Sequence, residues 1–319
     1  MRVSFNGEEV FRRHNPVLSF PTDYGLVPLD NPGQTIVEFD TPAGTVSVVF
    51  KTTDEILEDF SVPYVEKHLI RQESDFQIVY WILDHCRTIA DFDCFVSREE
   101  EIGQQGLTVG EIGRVPFQRL ILDFLGEERC FYLMFDNPKQ FRVLLDRLME
   151  LDVENLDMGL EFPGLMLEYG DNFDGEITNP NLFKEYCLLH LQQASEKAHA
   201  AGKVLGSHMD GDMSHLVELV PETGLDVIEA FSPYPLSGLT FHEAWPAWKN
   251  KIVMWGVIPS PLFEANTPEE EFERIVIDIV KTIAGQGKAI LGVADQALPP
   301  TLPDRIVRAG EIIEEFGRY

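Results

Sequence analysis

Several charged side chains stand where apolar runs end. Val204-Leu205-Gly206 runs into Ser207-His208-Met209-Asp210-Gly211-Asp212. His208 and Asp210 are one residue apart, so in an extended segment both side chains leave the same face. Imidazole nitrogen and carboxylate oxygen are then available to one metal ion or substrate. The competing role is local: Asp210 and Asp212 would cap a following helix while His208 donates a hydrogen bond to the loop. Asp295 follows the apolar run Ala289-Ile290-Leu291-Gly292-Val293-Ala294. A carboxylate there needs a metal, a substrate amine or an arginine; Arg305 is the structural partner to exclude. Glu168, after Leu165-Met166-Leu167, has the same standing. Catalytic candidates are therefore His208, Asp210, Glu168 and Asp295, with His208, Asp295 and Glu168 as metal ligands. Asp171, Asp174, Asp212, Glu229 and Gln296 belong to the same polar set, and Asp23, Tyr24, Asp171, Tyr234 and Trp255 are candidates for contacting substrate. Ser207 beside His208 lacks the elbow of a serine nucleophile.

The elements that must position these residues alternate. Strands are expected at Gly164–Tyr169, Lys203–His208, Leu225–Phe231, Lys251–Val257 and Ala289–Val293. Helices are expected at Pro180–Gly202, Met213–Val220, Phe241–Trp248, Thr267 to about Gly285, and Pro303–Phe316. In Thr267-Pro268-Glu269-Glu270, Thr267 can cap and Glu270 can close the box. Five strand–helix units with short loops indicate a parallel β/α architecture. A doubly wound sheet has the same rhythm, but no early glycine-rich phosphate loop follows a strand. The expected fold is α/β, a single (β/α)8 TIM barrel over 1–319, with polar residues after the strands sharing one mouth.

Residues 1–60 read as an irregular N-terminal extension. It includes a β-hairpin from Thr35–Phe39 and Thr45–Phe50, an appendage to the main sheet, and a strand near Pro16 that places Asp23 and Tyr24 in a loop. Helices follow at Ser74–Thr88, Pro116–Gly126, Glu127–Phe135 and Pro138–Met149. Asp91–Val96 reads as a loop entering a strand, and Gly106–Gly113 as a break.

Asp and Glu number 54 against 25 Lys and Arg, a formal charge of -29. Such an acidic protein repels nucleic acid and anionic lipid, so neither is an expected partner. Cys86, Cys94, Cys130 and Cys187 are widely spaced, which fits buried thiols in a reducing, cytoplasmic compartment. No run of about 18 apolar residues predicts a membrane span.

Motifs spread over most of the chain resemble the uroporphyrinogen decarboxylase (URO-D) superfamily, in its methyltransferase-like branch. They are Thr41-Pro42-Ala43-Gly44-Thr45, Gly113-Arg114-Val115-Pro116-Phe117, Gly170-Asp171-Asn172 leading to Asn179-Pro180, Ser207-His208-Met209-Asp210-Gly211, Gly224-Leu225-Asp226 and Thr267-Pro268-Glu269-Glu270. The resemblance implies a metal held by one His and two Cys, and the matching positions here are His208, Asp210 and Asp295. Asp at both Cys positions implies a harder carboxylate and imidazole site, with Glu168, for a divalent metal, zinc or another. It further implies methyl transfer between a small-molecule donor or acceptor and a corrinoid on a partner protein. Uroporphyrinogen decarboxylase activity itself is the alternative, although Arg12-Arg13 is the one basic pair near the start and the arginine-rich segment that grips propionates is missing. A non-catalytic barrel binding a small ligand is the third reading.

Overall fold

The computed structural model describes residues 2–12, 31–59, 61–90, 92–286 and 288–317. Asp23 and Tyr24 lie outside them. Two compact units form, one from Met1–Asp91 and Gly113–Glu161, the other from Phe92–Ile112 and Phe162–Tyr319.

The first unit is built on an antiparallel sheet: β1 (Arg2–Phe5), β2 (Glu8–Arg12), β3 (Gly33–Thr41), β4 (Gly44–Thr52) and β5 (Tyr64–Lys67), in the order β2-β1-β3-β4-β5. β3 and β4 pair with Val37 opposite Val48 and Thr41 opposite Gly44. Alternation buries Val37, Phe39, Val46, Val48 and Phe50 on one face. Gly44 turns the chain at φ 133°, and a Cβ there would come within 2.8 Å of the Ile78 side chain. These strands thus belong to a five-stranded sheet of their own. The helix Glu73–His85 begins where the Asp75 carboxylate accepts hydrogen bonds from the Arg71 and Gln72 amides, at 2.9 and 3.1 Å. Its Phe76, Ile78, Val79, Ile82 and Leu83 are buried. The helices Glu127–Asp136 and Pro138–Leu160 complete the unit.

The second unit carries the parallel sheet: β6 (Val109–Glu111), β7 (Met166–Tyr169), β8 (Val204–His208), β9 (Val227–Phe231), β10 (Val253–Pro259) and β11 (Ala289–Ala294), neighbours in the order β11-β10-β9-β8-β7-β6. Helices Phe241–Trp248, Glu269–Ile283 and Pro303–Phe316 alternate with these strands. This is a TIM-barrel-like α/β architecture; among the described residues, the parallel sheet has six strands. Phe263, Phe272, Val276, Val280, Ala309 and Ile312 form a core cluster with Ile258 at the end of β10.

Several elements differ from the sequence expectation. β6 falls in the glycine-rich break because Gly110 is needed there: a Cβ would lie 2.7 Å from the Phe162 ring. Asp93–Ile102 is a helix rather than a loop entering a strand, its exposed face carrying the Arg98–Glu101 pair at 2.6 Å. Met213–Val220 forms turns leading into the short 3-10 segment Val220–Glu222, not a helix; Asp212 at their start is held by the Gly175 and Gly238 amides of two other loops. Thr267 does not cap the next helix; its hydroxyl donates to the Pro261 carbonyl at 2.8 Å. Among the described residues, no helix is long and apolar enough to cross a membrane.

Candidate active site

Strand register assembles the site. Glu111 of β6 lies opposite Glu168 of β7, and Glu168 lies opposite Gly206 of β8. His208, two residues beyond Gly206, leaves the same face and lies opposite Glu229 of β9. Asp295 follows Ala294, the last residue of β11. Ala230, next to Glu229, has φ 59°, and in β10 Gly256 and Val257 have φ 105° and 77°. The β9–β10 register shifts between Met254 and Gly256, a bulge of the kind that re-aims side chains near functional sites.

Ligand atoms of His208, Asp210 and Asp295 all lie within 4.8 Å of one another. Glu229 Oε2 is 2.6 Å from His208 Nδ1, which fixes the ring and leaves Nε2 facing Asp210 Oδ1 at 3.6 Å. Asn172 Nδ2 donates to Asp210 Oδ1 at 3.0 Å. Arg305 is engaged elsewhere, by Glu269 Oε2 at 3.1 Å and by the Leu262 and Thr267 carbonyls at 2.8 and 2.6 Å, so it is not the partner of Asp295.

The electrostatics follow from crowding carboxylates in a half-buried place. Burial, with Glu229 adding to it against the opposing His208, pushes the Glu168 carboxyl up to about 8. Glu168 Oε1 is buried and accepts no hydrogen bond among the described residues. Burial alone would lower His208, but hydrogen bonds to Asp210 and Glu229 outweigh it and raise the imidazole to about 10. Burial works against Asp210 as well, yet its bonds to His208 and Asn172 hold its carboxyl below the usual range. Asp295 is raised by burial, with His208 opposing. A divalent cation fits this donor set: one oriented nitrogen, two carboxylates in reach and an orphaned carboxylate oxygen beside them.

The sequence-derived residues separate into groups. His208, Asp210 and Asp295 come together; Glu168 is beside them in register but outside the group that meets within 4.8 Å. Asp171 is fully buried, accepting from Ser207 Oγ at 3.1 Å. Tyr234 is exposed in the turn after β9 and Trp255 is half-buried on β10; neither hydrogen-bonds to the cluster among the described residues. Asp174 and Asp212 are loop ties. Asp212 accepts from the Gly238 amide at 3.0 Å and its own carbonyl accepts from Gly175 at 2.7 Å, while Asp174 accepts from the Glu176 amide at 2.8 Å. Glu111, on β6, joins these residues without a sequence signal of its own. It leans towards the loop after β7, where a Cβ on Gly170 would meet its Oε1 at 2.6 Å, and its three-residue strand leaves no periodic signal.

A parallel α/β sheet whose strand ends converge on an imidazole and several carboxylates belongs to the class of TIM-barrel-like folds with a candidate metal site. The sequence profile described as uroporphyrinogen decarboxylase (URO-D) matches residues 125–316, and the chain belongs to that family. No curated protein matches the chain. Among solved structures, a methyltransferase from Methanosarcina mazei superposes with a TM-score of 0.57 at 14% identity, covering 80% of this chain and 72% of that one. At that identity the likeness is one of fold.

Proposed function

We propose that this protein is a metal-assisted enzyme of the methyltransferase-like branch of the URO-D family. It would act as a single cytoplasmic barrel, moving a methyl group between a small molecule and a corrinoid carried by a separate protein. The observation that carries the metal is the meeting of His208, Asp210 and Asp295 within 4.8 Å, with Glu229 orienting the ring. The Methanosarcina mazei methyltransferase shares the fold; the branch and the corrinoid partner rest on the resemblance of the motifs.

In this reading His208 Nε2, Asp210 and Asp295 hold the metal, which supplies Lewis acidity to an acceptor or leaving group. Glu229 keeps His208 in one tautomer. Glu168, whose carboxyl burial and Glu229 push up in the metal-free site, stands beside these ligands as the proposed proton donor to the departing atom. Tyr234 and Trp255, after and on the neighbouring strands, are the side chains of this unit proposed to contact the substrate. The test is metal content. Wild-type protein purified without chelator retains the ion, and H208A loses it; full stoichiometry in H208A overturns the assignment.

Decarboxylation of a porphyrinogen is the second reading, and the description of the matching family profile favours it. The site's charge opposes it, because Glu111, Glu168, Asp171, Asp210, Glu229 and Asp295 surround a single imidazole and a polycarboxylate needs cations. An anaerobic assay decides: carbon dioxide release without metal establishes it, and no release removes it.

A further inference from the structure

The first unit contains a cavity of about 290 Å³ that has no part in the His208 cluster. Ile70, Phe76 and Leu125, all buried, form its apolar lining, and the exposed Tyr132 stands beside them. Arg71 and Arg129 line it as well. Tyr132 is three residues after Arg129 on the helix Glu127–Asp136, so both belong to one face. Each guanidinium is anchored by a neutral acceptor: Arg129 Nη1 donates to the Arg71 carbonyl at 2.6 Å, and Arg71 Nη2 to Ser47 Oγ at 3.2 Å. Neither pairs with a carboxylate among the described residues.

Acids outnumber bases 54 to 25 in this chain, and Arg71 and Arg129 share the lack of a carboxylate partner with Arg87, which donates to the Asp84 and Cys86 carbonyls. Other arginines take such partners: Arg98 takes Glu101, Arg142 takes Asp146, and Arg308 takes Glu273 and Glu311. Glu73 and Asp136 also line the cavity, and Glu73 is engaged by Gln140 Nε2 at 2.9 Å. The formal charges of the lining balance, and its guanidinium donors stand together at the Arg71–Arg129 edge, joined by the bond from Arg129 to the Arg71 carbonyl. A fork of guanidinium donors beside an apolar lining matches a molecule with one planar anionic end and a hydrophobic body. The volume is near the lower end of small-molecule sites, roughly 300 Å³.

We propose that this cavity is a binding site for a small amphipathic carboxylate, the apolar body lying on Ile70, Phe76 and Leu125 and the carboxylate held by Arg71 and Arg129. The site is separate from the metal cluster and does not depend on the reading given to it. The probe is 2-naphthoate, with neutral 2-naphthamide as its isosteric control, titrated by calorimetry into the full chain. The acid is expected to bind saturably and at least roughly tenfold more tightly than the amide, since charge-assisted bonds are about twice as strong as neutral ones. R71Q/R129Q removes that preference, and H208A retains it. Both arginines are exposed, so the double variant keeps the fold, and the acid–amide comparison on wild-type protein needs no variant. Equal affinity for acid and amide, no saturable binding of the acid, or an unchanged preference in R71Q/R129Q overturns the proposal.

Discussion

Removing metal from the His208 cluster should leave a protein that becomes less stable as pH rises, a trend that added metal reverses. His208 is raised from 6.5 to about 10 and Glu168 from 4.5 to about 8. Both groups bind their protons more tightly folded than unfolded. The His208 contribution is complete below its unfolded value near 6.5 and is lost as pH rises through about 10. Glu168 acts in the same direction, with its contribution lost between about 4.5 and 8. One pKa unit corresponds to about 1.4 kcal/mol, so His208 alone has a ceiling of about 5 kcal/mol across its window. Its side chain is 25% exposed, and solvent screening reduces this. Between about pH 6.5 and 8.5, a loss of about 2 kcal/mol is expected. The bound ion needs a neutral imidazole and ionised carboxylates, so metal affinity should rise about tenfold per pH unit while one proton is displaced. Urea melts at a series of pH values, with chelator and with excess Mn²⁺, measure both trends, and H208Q should flatten the first. A metal-free stability that is level or rises over this range, together with a pH-independent effect of metal, would refute the reasoning.

Glu229→Gln should weaken metal binding by roughly 10–100-fold, because the partner that orients a ligating imidazole is worth about that much; competition with a chromophoric chelator reads it, and an unchanged affinity rejects the orienting role. Gly211→Ala should cost about 1–3 kcal/mol in urea unfolding, since its Cβ would be 2.2 Å from the Phe173 carbonyl oxygen and backbone must move. In a Cys94→Ser background, the thiols of Cys86, Cys130 and Cys187 should react with Ellman's reagent only as the protein unfolds. All three are buried, and burial pushes Cys86 up to about 11 and Cys130 to about 12. Rapid reaction of the native protein at neutral pH would contradict that.

Much of the second unit was legible because its signals are local. The run Val204–Gly206 becomes β8 and Phe241–Trp248 becomes a helix within the bounds expected, with Thr240 and Glu243 closing a capping box. Elements set by distant contacts were not legible. β6 has three residues and a glycine chosen for the Phe162 ring, and the turns after Asp212 are held by loops far away in sequence. The apolar run Cys94-Phe95-Val96 has no period long enough to separate helix from strand.

For the site, the chemistry was present in the residue types. An imidazole and a carboxylate one residue apart at a strand end, with further acids after apolar runs, are properties of the chain itself. The tertiary structure decided which acids belong together. Parallel register set Glu229 opposite His208 and Glu111 opposite Glu168, and the end of β11 delivered Asp295 to the same place. It also diverted Asp174 and Asp212 into loop ties and Arg305 into the carbonyls around Leu262 and Thr267. The physical reason is range: strand and cap preferences act over a few residues, whereas proton and metal affinity depend on charges a few ångströms apart in space and tens of residues apart in sequence.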